Sequence, residues 1–192
     1  MEPGKIIFID TEIDSKSKKI LDIGAITGDG REFHGGSLSA FSNFLCGCKY
    51  ICGHNILKHD LKHLHEEVSS SDAEYFIDTL YLSPLLFPKK PYHRLVKDDK
   101  LTVDELNNPL NDAKKARDLF YDEHDEYNSM DAQLQGIYSG LLSGALALVP
   151  NAEVAVQCTR PFVHFCYTVG AEEKAQQMSQ YVNFLESSRG AV

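Results

Sequence analysis

The stretch IIFIDTEID, Ile6 to Asp14, constrains this chain more than any other. Four consecutive apolar residues, Ile6 to Ile9, predict a strand covered on both faces. Side chains alternate along a strand, so Phe8, Asp10 and Glu12 share one face, and Ile7, Ile9 and Thr11 the other. Two carboxylates therefore end the same buried face, roughly 7 Å apart. Buried charge is unfavourable unless an opposite charge or a set of donors offsets it. Any fold for this chain has to supply that compensation at one strand end.

The length of 192 residues suits one domain with a substantial core plus a smaller appendage. We place the domain at 1–145 and a C-terminal extension, or the start of a following region, at 146–192. The closing SSRGAV is no clear natural end, which suggests a piece of something longer. No basic signal sequence opens the chain, and no apolar run approaches the ~20 residues of a membrane span. The reading is a soluble, cytoplasmic protein with no membrane partner. Five cysteines, an odd number, argue against a disulfide framework. Cys46, Cys48, Cys52 and His54 lack the paired C-x2-C spacing of common zinc sites, so buried, reduced thiols are the favoured reading.

A formal net charge of −9 runs against nucleic-acid binding, unless divalent cations stand between phosphates and carboxylates. The basic residues are nevertheless grouped. Lys89, Lys90, Arg94 and Lys97 surround Tyr92 and His93 in PKKPYHRLVK, a candidate phosphate-binding loop. SKSKK, at Ser15 to Lys19, reads as a solvated loop.

After the first strand, ILDIGAIT and REFHGGS read as strands joined by a GDG turn, giving an antiparallel meander. LSAFSNFLCG reads as a short helix and KYICGHN as a buried strand, followed by a helix in ILKHDLKHLHEEVSS. YFIDTLYLSPLLF is a strand-to-helix segment broken by Pro84 and Pro88. The chain from TVDELNNPLNDAKKARDLF to LLSG is mostly helical, with YDEHDEY as a solvated helix face. EVAVQ and FVHFCYTV are strand-like, and AEEKAQQMSQYVNFLESS is helical. The fold class is α/β, a mixed sheet with helices on its faces.

Numbering a helix from Ile56 puts Ile56, Leu57, Leu61, Leu64 and Val68 on one apolar arc, with Asp60 inside it. In NNPLNDAKKARDLF, Leu110, Ala113, Ala116 and Phe120 share a face with Asp112 at its border. Singly, Asp60 can be a structural hydrogen-bonder and Asp112 a first-turn acid favoured by the helix dipole. Together, Asp10, Glu12, Asp60 and Asp112 are four acids at core-facing or core-edge positions. Such a grouping calls for cations, and oxygen-only ligands point to Mg2+ or Mn2+.

FIDTE, GHNILKHDLKHL and NPLNDAKKA, in this order, resemble the three motifs of the DEDD (DnaQ-like) 3′–5′ exonucleases, over about Ile6 to Leu142. The resemblance implies a ribonuclease-H-like fold with a five-stranded mixed sheet. It also implies two Mg2+ or Mn2+ ions held by Asp10, Glu12, Asp60 and Asp112, and removal of nucleotides from DNA or RNA 3′ ends. A weaker similarity, including PYHRLVKDDKL, is to exonuclease domains joined to bacterial RecQ-type DNA helicases, which implies a helicase region in the same longer chain and a role in DNA repair. In such a site Asp10 would bridge the ions, with Glu12 and Asp112 on one and Asp60 on the other. Thr11, His54 and Asn55 are candidate substrate contacts, with Lys89, Lys90 and Arg94.

The sequence departs from the family at the general base. The usual His and Tyr positions, five and four residues before the last Asp, are Asn107 and Asn108, and neither amide takes a proton near neutral pH. His59 stands where the second motif usually has an aromatic residue. Three explanations compete: another histidine is the base, with His93 the best candidate; the reaction proceeds slowly without a protein base; or the domain binds nucleic acid without cutting it. General-base help is worth about 10²–10⁴-fold, so its loss weakens an enzyme without silencing it. A metal phosphohydrolase acting on small phosphate esters is a further alternative.

Overall fold

The computed structural model describes residues 5–95 and 108–140. Five strands, β1 (Ile6–Ile13), β2 (Ile20–Thr27), β3 (Glu32–His34), β4 (Tyr50–Gly53) and β5 (Tyr75–Asp78), form one mixed sheet in the order β3-β2-β1-β4-β5. β1 pairs antiparallel with β2 and parallel with β4, which makes it the central strand. That position explains the unbroken apolar run: Ile6, Ile7, Phe8 and Ile9 are all fully buried. β2 and β3 form the expected antiparallel hairpin, and β5 pairs parallel with β4. The helices are α1 (Leu38–Phe44), α2 (His65–Ser69), α3 (Thr79–Leu86), α4 (Pro109–Ser129) and α5 (Ala132–Gly140). Among the described residues, no helix is long and apolar enough to cross a membrane.

The alternation of β1 sorts the core. Ile7 and Ile9 join Ile23, Phe41, Leu45, Ile56 and Leu64 in one buried cluster under α1 and the segment after β4. Phe8, of opposite parity, meets Phe120 and Tyr121 of α4 with ring centroids 5.3 Å and 6.0 Å apart. Asp10 and Glu12 follow Phe8, so they face the α4 side. Gly24 lies opposite Asp10 in the β1–β2 register. A β-carbon on Gly24 would overlap the backbone of Pro109 and Leu110, so the glycine lets the start of α4 rest directly on β2. Pro109 suits the first helical position, and the Asn108 Oδ1 accepts from the Leu110 and Asn111 amides at 3.0 Å and 3.3 Å. The cap and the close approach together fix where Asp112 arrives.

Three local expectations are corrected. The segment from Ile56 is not one helix. Asn55 takes a left-handed backbone (φ 69°), a single 3₁₀ turn covers Asp60–Lys62, and α2 is only five residues long. Asp78 is the cause, since its carboxylate accepts from the amides of Asn55 and Leu57 and ties that backbone to the end of β5. Pro84 lies inside α3 rather than ending it. Finally, the acidic run at the middle of α4 is not uniformly solvated. Glu123 continues the buried stripe of Ala113, Ala116, Phe120 and Tyr127, is fully buried, and among the described residues neither of its carboxylate oxygens has a hydrogen-bond partner.

The chain forms two compact units, divided between Glu123 and His124 within α4. The sheet belongs to the first. In the second, Gln135 donates through Nε2 to the carbonyls of Tyr127 (2.8 Å), Asn128 and Met130, which fixes the turn from α4 into α5. The expected boundary at 145/146 and the elements expected beyond it lie outside the described residues, as do Lys97 and Asn107.

Candidate functional site

At the end of β1 the sheet unit holds an open cavity of about 400 Å³, within the size range of small-molecule sites. β1 lines it with Asp10, Thr11, Glu12 and Ile13, and the turn after β4 adds His54, Asn55, His59 and Asp60. α3 contributes Leu80, the segment after it Arg94 and Leu95, and α4 Asp112. The four acids singled out in the sequence thus line one cavity.

Each acid arrives by a different local device. Asp10 comes from strand alternation. Asp60 is 1 % exposed, and its Oδ1 accepts from the Thr11 amide (2.9 Å) and the Thr11 hydroxyl (2.6 Å). This also accounts for Thr11, whose polar groups are spent on Asp60. Asp112 sits in the first turn of α4, with Lys115 Nζ at 3.8 Å. His59 joins them, its Nδ1 3.6 Å from Asp60 Oδ1.

The electrostatics follow from this crowding. Burial, then the charges of Asp60, Asp112 and Glu12, push the Asp10 carboxyl up to about 8. Among the described residues Asp10 has no hydrogen-bond donor to offset that charge. Contact with Asp60, helped by Asp10 and Glu12, raises the His59 pKa. Crowded hard oxygen donors are the ligand type that Mg2+ and Mn2+ take. Among the described residues no group of three His, Cys, Asp or Glu side chains is placed to hold a metal ion.

Asp78 was not singled out from the sequence, yet it frames the site. It is fully buried and accepts from the amides of Asn55 (2.7 Å), Leu57 (3.2 Å) and Leu80 (3.0 Å). It thereby caps α3 and holds the turn that carries His54 to Asp60. Burial raises its pKa while the three amides pull it back down. An Asp closing a strand just before a helical segment was the available signal.

The remaining candidates divide. His54, Asn55 and Arg94 line the cavity. Lys89 and Lys90 do not; both are exposed, and Lys90 Nζ sits 3.8 Å from the centre of the Phe87 ring. His93 does not line the cavity either; its Nδ1 is 2.9 Å from Ser83 Oγ on α3. Asn108, at the family's tyrosine position, is the α4 cap. Comparison with protein-family models, with curated proteins and with solved structures found no match.

Proposed function

We propose that this chain is a metal-dependent 3′–5′ exonuclease of the DEDD type, with a ribonuclease-H-like fold. One observation carries the reading: Asp10, Glu12, Asp60 and Asp112, from a strand, a turn and a helix, line a single cavity. The five-stranded mixed sheet, with two of the acids on its central strand, supports the fold assignment. When bound, two Mg2+ or Mn2+ ions would offset the four charges and act on the scissile phosphodiester as Lewis acids. Asp10, Glu12 and Asp112 would hold them, with Asp60 contributing through its second oxygen. Arg94 would meet a substrate phosphate, and the Asn55 turn the terminal nucleotide.

A second reading is a nucleic-acid-binding module, one part of a helicase, that does not cut. It is favoured by the commitment of Asp60 to Thr11 and by amides at both usual base positions. An oligonucleotide labelled at its 5′ end separates the two. With Mg2+ or Mn2+ the parent should produce a ladder shortening from the 3′ end, abolished by EDTA and by Asp10→Asn. Either cation should also raise the melting temperature, by an amount equivalent to about 2.7 kcal/mol at a hundred times its Kd, and the rise should be lost in Asp10→Asn. Binding without shortening in either metal establishes the second reading.

A further inference from the structure

We infer that His54 and His93 form a paired latch that positions Arg94 at the acid cavity, where it takes a phosphate group of the substrate; the phosphate role rests on the proposed nuclease reading. Two histidines on either side of one cation carry the inference. On one side, the Leu95 amide donates to His54 Nε2 at 3.1 Å. On the other, His93 Nδ1 meets Ser83 Oγ at 2.9 Å. Arg94, between them, lines the cavity, and among the described lining residues it is the one Arg or Lys.

Both anchors are buried on one helix. Thr79 and Ser83 lie four residues apart on α3, and are 0 % and 1 % exposed. The hydrogen bonds also fix the tautomer. Because Nε2 accepts from Leu95, the ring proton is on Nδ1, which donates to Thr79 Oγ1 at 2.8 Å. The Thr79 hydroxyl in turn donates to the Gly53 carbonyl at 3.3 Å, at the end of β4. Every group in the chain from Leu95 to the sheet thus has one defined role. A guanidinium on an unanchored loop would be drawn among the cavity carboxylates. Held through the Leu95 amide on one side and the His93 ring on the other, it stays at the lining, where it can present its donors to a phosphate.

His54→Asn and His54→Gln distinguish this positioning role from mere packing. Asparagine keeps a donor near the Nδ1 position for Thr79 but has nothing at Nε2; glutamine restores an acceptor for Leu95. In His54→Asn the Leu95 amide should exchange with solvent at least about 10-fold faster, and His54→Gln should restore much of its protection. Arg94→Ala should raise KM about 10-fold with kcat nearly kept, and weaken oligonucleotide binding with a shallower salt dependence. His54→Asn should reproduce part of that KM change, and adding it to Arg94→Ala should cost nothing further. Unchanged Leu95 exchange in His54→Asn overturns the latch, and additive KM effects sever it from Arg94. If the parent binds oligonucleotides without cutting them, the nuclease reading fails, while the exchange and affinity measurements still decide the latch. A parent with no oligonucleotide affinity overturns the phosphate role.

Discussion

The tetrapeptide Phe-Ile-Asp-Thr occurs twice in this chain, as Phe8–Thr11 on β1 and as Phe76–Thr79 across the end of β5. The two aspartates have opposite fates. Asp78 is fully buried and accepts three backbone amides. Asp10 is half-buried, faces three other acids, and has its carboxyl pushed up to about 8. The residues just after each copy decide the matter. β1 runs on through Glu12 to Ile13, which keeps the Asp10 side chain on a strand face. β5 stops at Asp78 and a helix begins at Thr79, which turns the same carboxylate into a helix cap. The threonines differ likewise: Thr11 donates to Asp60, and Thr79 to the Gly53 carbonyl. Identical residues line an acidic cavity in one place and build a structural joint in the other.

Alanine at the two aspartates should break the comparison most sharply. Asp78→Ala leaves three amides without their acceptor and should cost about 3–5 kcal/mol in chemical denaturation. Asp10→Ala removes a carboxyl that is buried and crowded by Asp60, Asp112 and Glu12, so in cation-free buffer it should leave stability unchanged or raise it by about 1 kcal/mol. Equal losses at both sites would erase the contrast between the two aspartates.

Glu123 is a third kind of acid, fully buried and without a hydrogen-bond partner among the described residues. Burial pushes its carboxyl up from 4.5 to about 9, opposed by the charge of Lys90. The folded protein then holds a proton that the unfolded chain has released. Stability should therefore fall as pH rises from about 4.5 towards 9, the full contribution being present only below the unfolded value. Glu123→Leu should flatten that slope and stabilise the protein by on the order of 2 kcal/mol at neutral pH. Urea titrations on both sides of neutrality measure it, and an unchanged slope would mean that the buried carboxylate is compensated.

The threonines give the smallest effect. Thr11→Val removes a hydroxyl from a buried carboxylate and should cost about 1.5–2 kcal/mol, and Thr79→Val, which loses neutral contacts, about 1 kcal/mol. Thermal melts of the two variants test the order, and the reverse order would place the stronger joint on β5.

Much of the sheet was legible because β-structure here obeys simple patterns. The apolar run Ile6–Ile9 is the central strand, and the alternation that paired Asp10 with Phe8 also pointed both toward α4. Asp60 was read from a continuous helix that the chain does not form, yet its place among apolar residues still marked it as buried. The helix itself was illegible because the acceptor that reshapes Asn55–Leu57 lies more than twenty residues on, in β5. Glu123 was hidden in an acidic run whose composition resembles a solvated face, and only its spacing from Phe120 and Tyr127 distinguished it. His93 drew notice through its basic neighbours, but a loop's chemistry does not reveal which helix hydroxyl will hold it. Asn108 looked like a missing base when judged by position, and it is a helix cap when judged by its neighbours Pro109 and Leu110.

The contact between Gly24 and the start of α4 also bears on the order in which the molecule can be assembled. The five described strands lie between Ile6 and Asp78, so they and three of the four cavity acids precede α4 in the chain and are synthesised before it. Asp112 joins them only when residues 109 and 110 settle on Gly24, more than eighty positions away. The repulsion that Asp112 adds to the other three carboxylates is thus deferred to a late docking step. Docking of α4 also buries Phe8 against Phe120 and Tyr121, and apolar burial of that kind works against the repulsion that closing the charged cavity entails.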